Sequence, residues 1–438
     1  MISCRSTSNA QAQSPLAMKC HAVGNISLDD RIAGCTAVIE TTTATQQAVI
    51  FARFRRALFH TQKGEVDLAI ADYDQILGHY PNNLVARLCR AFAYAHKKEM
   101  DAALADYEKA VEIDPKNVGA YLGRAGVYLT KGDLDRAIDD YGRVLQMQPE
   151  NISAYVGRSD VYSRKSEPDR AIADCNRAIE ISPTREFGYL CRGVAYYEKG
   201  DFDRAIADHT RAIELNPNNQ QAYLYRGAAY HEIGDLDRAI AEYTQAIQIE
   251  PKFKEAYLRR AYAYRTKGDV DHARADYDQI VQLDPKEARA YRGRAMISLE
   301  AASLIESLDD LNQSYALDPH DAYTALWLHI VGKRSNMPSR LAEATTQLDM
   351  AKWPAPVVRL FLGQLTPEAV LAAADDPNVK TKKGQFCEAN FYAGELSLLQ
   401  GGKDEGARLI RNAIDVCPKT FAEWLIANAE LRAYGVQP

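Results

Sequence analysis

Eight prolines punctuate the chain at Pro81, Pro115, Pro149, Pro183, Pro217, Pro251, Pro285 and Pro319, each 34 residues after the last. A fixed step of this size means a tandem array of one supersecondary unit. Such a unit cannot bury its apolar face alone, so it stacks on copies of itself. With proline counted as position 32, the first unit opens at Ile50 and the eighth closes at Asp321, without insertion.

Other positions keep the same step. Position 8 is always small: Ala57, Ala91, Ala125, Ser159, Gly193, Gly227, Ala261 and Ala295. Position 20 is alanine from Ala69 to Ala273 and then Ser307, and position 24 is mostly tyrosine (Tyr73, Tyr107, Tyr141, Tyr243, Tyr277). Position 15 is glycine in Gly64, Gly132, Gly200, Gly234 and Gly268. Within each unit apolar residues recur at three and four, the spacing of one helical face. Glycine at 15 can take the left-handed conformation that ends a first helix. The aspartates after it suit the start of a second. Proline at 32 stops that helix. Small residues at 8 and 20 let the two helices approach closely.

Stretches such as GRAGVYLTKGDLDRAIDDYGRVLQMQP and RGAAYHEIGDLDRAIAEYTQAIQIEP resemble tetratricopeptide repeats. The resemblance implies an all-α, right-handed superhelical solenoid of helix-turn-helix repeats. It also implies a concave groove lined by positions 2, 5, 6, 9, 12 and 13 that holds another polypeptide. Position 5 is apolar in seven repeats, from Phe54 to Leu258, so the lysine and asparagine clamp of chaperone-binding members is absent. Repeats five to seven offer the richest groove: Tyr197, Tyr225, His231, Arg259, Tyr262 and Arg265. Aromatics and arginine dominate interface energetics, although tyrosines are common throughout this array.

A second ladder pairs arginine at position 7 (Arg124 and Arg226 among eight) with a carboxylate at position 23 (Asp140 and Glu242). The two positions flank the turn symmetrically and should meet across each hairpin. The match of carboxylates to arginines favours structural ion pairs that fix helix registry over an anion-binding stripe.

The net charge is −6, with no run of five or six like charges, which argues against nucleic acid as the main partner. No apolar stretch reaches the length of a membrane span. Ala10-Gln11-Ala12 resembles the end of a cleavage site, but no apolar run precedes it. Metal-binding spacings, phosphate loops and nucleophile elbows are missing, so neither cofactor nor metal is expected, nor is catalysis by the chain itself.

Beyond the array the step is lost and then returns. We expect residues 1–19 to lack structure and 20–49 to form an N-terminal helical capping element. The eight repeats then span 50–321, followed by an irregular helical segment over 322–386. A final repeat-like hairpin over 387–420 is set by Pro418, and a capping helix closes the chain over 421–438. The stretch WPAPVVRLFLGQLTPEAVLAAADDPN and those around Asn390-Phe391-Tyr392-Ala393-Gly394 and Ala429-Glu430-Leu431 resemble the NlpI-like envelope lipoproteins of bacteria. That resemblance covers about residues 322–435 and implies an adaptor that docks envelope enzymes. Lys19 stands before Cys20 where a lipoprotein signal carries a small residue, so lipid anchoring does not follow.

Cysteines bear on the compartment. Cys20 and Cys35 flank the capping element, and Cys387 and Cys417 sit at opposite ends of the last hairpin. They read equally as two disulfides, implying an oxidising compartment such as the periplasm or cell envelope, or as free buried thiols, the cytoplasm then being the alternative. Cys89 and Cys191 occupy one position three repeats apart, too far to bond, and Cys175 replaces a core aromatic and is expected to be inert. The leading expectation is a non-catalytic scaffold for other proteins or peptides, with a homo-oligomer compatible. The alternatives are an accessory subunit of a hydrolase or glycosyltransferase complex, or a peptide or ligand sensor. A polar pocket near Trp353 would favour an enzymatic role.

Overall fold

The computed structural model describes residues 15–20, 26–417 and 422–433. Among them all regular structure is helical, in 25 helices. The chain is an all-α solenoid of helical hairpins, divided into two compact units, residues 1–199 and 200–438.

The first unit opens with α1 (Pro15–Met18) and α2 (Leu28–Glu40), joined by a Cys20–Cys35 disulfide with the Cα atoms 4.6 Å apart. The helical turn of α1 lies inside the stretch expected to lack structure. Ala17 and Cys20 hold it, both buried against Cys35 and Val38; residues 1–14 lie outside the described residues. Four hairpins follow: α3 (Gln46–Lys63) with α4 (Val66–His79), α5 (Leu84–His96) with α6 (Met100–Ile113), α7 (Val118–Lys131) with α8 (Leu134–Met147), and α9 (Ile152–Arg164) with α10 (Pro168–Ile181). Helix α11 (Glu186–Lys199) ends this unit.

The second unit begins with α12 (Phe202–Leu215). Its hairpins are α13 (Gln220–Glu232) with α14 (Leu236–Ile249), α15 (Lys254–Lys267) with α16 (Val270–Leu283), and α17 (Ala288–Glu300) with α18 (Leu304–Leu317). Then come α19 (Ala322–Arg334), the short α20 (Leu341–Ala344), α21 (Ala355–Phe361) and α22 (Pro367–Ala373). Helices α23 (Val379–Leu399), α24 (Lys403–Val416) and α25 (Ala422–Ala433) complete it.

The turn inside each repeat is fixed by backbone geometry. Position 15 is left-handed in all eight repeats, with φ between 58° and 85°. Where glycine is missing, Lys98, Ser166 and Ala302 take that conformation regardless. The next amide closes the first helix, as Asp133 N–H donates to Tyr128 O and Asp235 N–H to Tyr230 O, each at 2.9 Å. Asp133, Asp201, Asp235 and Asp269 then cap the second helix, and Asn83, Asn117, Asn151 and Asn219 cap the first helix of the following repeat.

Close approach explains the small residues. Ala57, Ala69, Ala91, Ala103, Ala125, Ala137, Ala261 and Ala273 are all wholly buried where two helices touch. Between repeats, position 24 packs on position 6 of the next repeat. A Cβ placed on Gly123, Gly157 or Gly293 would collide with the ring of Tyr107, Tyr141 or Tyr277 respectively.

The C-terminal end departs from the expected segmentation. Helix α23 runs without interruption through the 386/387 boundary, since no proline or helix stop falls between 379 and 399. Residues from α17 through α25 share a single apolar core around Leu326, Ile330, Phe391, Tyr392 and Ile410. The irregular segment and the last hairpin are therefore one packed body. Pro418 and Phe421 lie outside the described residues.

Candidate functional site

Arginine–carboxylate pairs of the ladder close across their own hairpins. Arg124 Nε donates to Asp140 Oδ2 at 2.8 Å and Nη2 to Oδ1 at 2.9 Å, and Arg56, Arg90, Arg158, Arg260 and Arg294 repeat this fork. Arg226 Nη2 reaches both oxygens of Glu242 at 2.7 and 2.8 Å. The opposite side of the guanidinium reaches back to position 25 of the preceding hairpin. Arg226 Nη1 donates to Thr210, Arg260 Nη1 to Thr244 and Arg294 Nη1 to Asp278, at 3.0, 3.0 and 2.6 Å. Hydrogen bonding to Asp140 pushes the Arg124 pKa up, so the cation is firmly held. These arginines tie hairpin to hairpin through Nη1 and Nη2, while the Nε of Arg226 is buried without a hydrogen-bond partner.

The candidate groove residues of repeats five to seven divide by exposure. Tyr197 lies on α11 in the first unit and the other five belong to the second. Arg259 is exposed and bonds Glu255 on its own helix at 2.9 Å. Tyr225 is half-buried and stacks on His209 with centroids 5.7 Å apart. His231 and Arg265, however, are only 8% and 4% exposed. His231 packs on Tyr262 at 5.5 Å, and Arg265 Nε donates to Glu300 at 2.8 Å. The arginine is an internal ion pair and the histidine a core ring, so neither presents itself to a partner. Helix α25 contributes here, packing on α17 as well as on α23 and α24. The Glu423 charge acts on Arg265, Arg292 and Tyr262.

Exposed apolar side chains gather instead on the first helices of repeats one and two. Phe51 and Leu58 on α3, and Val85 and Phe92 on α5, are 45%, 40%, 54% and 57% exposed. They occupy positions 2 and 9 of their repeats, so one stripe runs along each helix face. Phe54, Leu88 and Cys89 lie beneath them, partly buried.

Two features escaped sequence reasoning. Cys175 and Cys191 form a disulfide with Cα atoms 5.7 Å apart, correcting the reading of Cys175 as inert. They stand at positions 24 and 6 of successive repeats, where Tyr141 meets Gly157 one repeat earlier. That register was the available signal. Cys387–Cys417 is also bonded, and Cys89 is the free thiol among the described residues.

The second feature is a buried acidic cluster with no sequence signal, since single glutamates on amphipathic helices are ordinary. Trp353 Nε1 and the Tyr323 hydroxyl both donate to Glu388 Oε2, at 2.6 and 2.9 Å, and the Tyr392 hydroxyl donates to Glu423 at 3.3 Å. Burial first, and then the Glu423 charge, push the Glu388 pKa up to about 8. Nearby, Arg334 bonds both Glu395 and Glu430. Trp353 is thus a donor inside the C-terminal core.

Tetratricopeptide-repeat family models match residues 51–83, 91–132, 122–186, 192–252 and 230–297. The chain is a tetratricopeptide-repeat protein. Solved structures of similar fold include a tetratricopeptide repeat protein of Parabacteroides merdae, 17% identical, covering 57% of this chain and 98% of its own, with a TM-score of 0.49. MamA is 30% identical over 38% of this chain and 96% of its own, with a TM-score of 0.33. YrrB, described as having an unusual peptide-binding site, is 21% identical over 45% and 97%, with a TM-score of 0.32. No curated protein sequence matches this tetratricopeptide-repeat protein. Among its described residues no helix is long and apolar enough to cross a membrane, and no cluster of metal-binding side chains occurs.

Proposed function

We infer that this tetratricopeptide-repeat protein is an interaction scaffold that holds a segment of another polypeptide on the first helices of its N-terminal repeats. The exposed row of Phe51, Leu58, Val85 and Phe92 carries the reading. Large apolar groups gathered on one face of a soluble surface mark a place where another chain docks. The buried His231 and Arg265 move the emphasis away from repeats six and seven, while Tyr225 and Arg259 remain accessible at the margin of that region.

Three disulfides among the described residues support an oxidising compartment, the periplasm or cell envelope, in keeping with the resemblance of residues 322–435 to NlpI-like adaptors. An adaptor for envelope enzymes fits both. A photocrosslinking side chain at position 92 of the full chain, compared with one at the exposed Glu108 on α6, tests the docking face. Covalent capture of a second polypeptide from position 92 and not from 108 is expected. Equal capture from both, or capture from neither, rejects the reading.

A further inference from the structure

Resting on that reading of the N-terminal face, the chemistry of its occupant can be narrowed. The stripe on α3 contains one cation, Arg55, between Phe51 and Leu58. Its guanidinium carbon lies 5.9 Å from the Phe51 ring centroid and 5.4 Å from that of Phe59. Among the described residues Arg55 makes no ion pair or hydrogen bond. Arg53 and Arg56, on either side of Phe54, both bond Asp72. Another guanidinium faces it: the Arg31 Cζ sits 5.5 Å from the same Phe59 ring. Burial and the Arg31 charge push the Arg55 pKa down, as expected for a cation without its complement.

The carboxylates of α2, which packs on α3, act on other cations: Asp29 pairs with Lys63 and Asp30 with Lys19, each at 2.7 Å, and the Glu40 charge acts on Arg56. Helices α3, α5 and α7 contain no aspartate or glutamate, whereas α11, α13 and α15 carry Glu186, Glu198, Glu232 and Glu255. Residues 1–14 and 21–25 contain no aspartate or glutamate.

We propose that the face formed by α3 and α5 takes a partner segment that is both apolar and acidic. Its aliphatic or aromatic side chains lie on Phe51, Leu58, Val85 and Phe92, and a carboxylate pairs with Arg55. Apolar contact supplies most of the attraction, and the carboxylate fixes register and excludes basic segments.

Three labelled peptides of about twelve residues probe the full chain by fluorescence anisotropy. One is built from Leu, Phe and Glu, a second carries Lys at every Glu, and a third carries Ser at every Leu and Phe. Binding of the first, with the other two weaker by about tenfold or more, is expected. Phe92→Ser should weaken the first peptide by about tenfold, with helicity unchanged by circular dichroism. Arg55→Glu should invert the preference, so that the lysine peptide binds better than the glutamate peptide. That gain cannot come from a misfolded variant. Equal binding of the glutamate and lysine peptides, an Arg55→Glu chain that keeps the original preference, or no binding of any peptide overturns the proposal. Should that happen while position 92 still captures a polypeptide, the charge assignment fails and the docking face stands.

Discussion

Tyr141 covers Gly157 of the next repeat so closely that a Cβ there would stand 2.5 Å from the ring carbon Cζ. Cys175 and Cys191 fill the same two places one repeat on, with a covalent bond in place of a ring over a glycine. Both solutions join neighbouring repeats through positions 24 and 6. Replacing Gly157 with Leu should lower stability by about 1–3 kcal/mol, because the buried ring has nowhere to go. Changing Tyr141 and Gly157 together to cysteine should instead create a disulfide, visible as a linked peptide by mass spectrometry without reduction. Failure to link would mean that the two sites are not equivalent.

Asp140 is 3% exposed and depends on Arg124 for its hydrogen bonds. Arg124→Ala should therefore cost about 3 kcal/mol by leaving a buried carboxylate without its partner. The double change Arg124→Met with Asp140→Leu should cost much less, since no charge stays buried. Urea unfolding of both variants checks this. Equal losses would show that the pair matters for packing alone.

Lys98 occupies a left-handed turn, with φ of 64°, that glycine fills in five of the eight repeats. Removing its Cβ should relieve about 1 kcal/mol of backbone strain. Lys98→Gly is thus expected to raise the unfolding midpoint despite the greater freedom of an unfolded glycine chain. A lower midpoint would mean that the Lys98 side chain contributes more than its backbone conformation costs.

Glu388 and Glu395 are each pushed by burial from 4.5 to about 8. Their folded forms favour the proton. The stability this brings is fully present below about pH 4.5 and is lost as pH rises toward 8. Thermal unfolding should show the C-terminal body weakening across that interval. Glu388→Gln, which keeps a neutral side chain at every pH, should remove part of the slope, and an unchanged slope would contradict the assignment.

His209 behaves with the opposite sign. Both ring nitrogens are buried without a hydrogen-bond partner, and burial pushes its pKa down from 6.5 to about 3. Its contribution is present above pH 6.5 and is lost as pH falls toward 3. His209→Phe, stacking on Tyr225 in the same place, should gain about 1–2 kcal/mol by removing unsatisfied polar atoms and should flatten the acid limb. Denaturation at pH 4 and pH 7 separates the two effects.

The hairpins were legible in the sequence because their causes are local. Glycine, aspartate and proline act on their own backbone, and Ala57 or Ala137 on the helix they touch. Contacts between repeats were harder to read. The Cys175–Cys191 bond follows only once position 24 is known to face the next position 6, a register the intact Tyr–Gly pairs already held. The burial of His231 and Arg265 was not legible, because Tyr262, Glu300 and α25 come from elsewhere in the chain. Glu388 and Glu423 gave no warning for the same reason: nothing within α23 or α25 announces the tyrosines and tryptophan that meet them.

Arg260 grips Asp276 of its own hairpin and Thr244 of the one before, each 16 residues away in sequence. A clasp that counts the same number forwards and backwards makes the array a ruler with a single graduation. Splicing in or excising one whole repeat rejoins every clasp, whereas a cut of any other length strands an arginine at the seam. Chains of this design should therefore grow or shrink only by entire repeats.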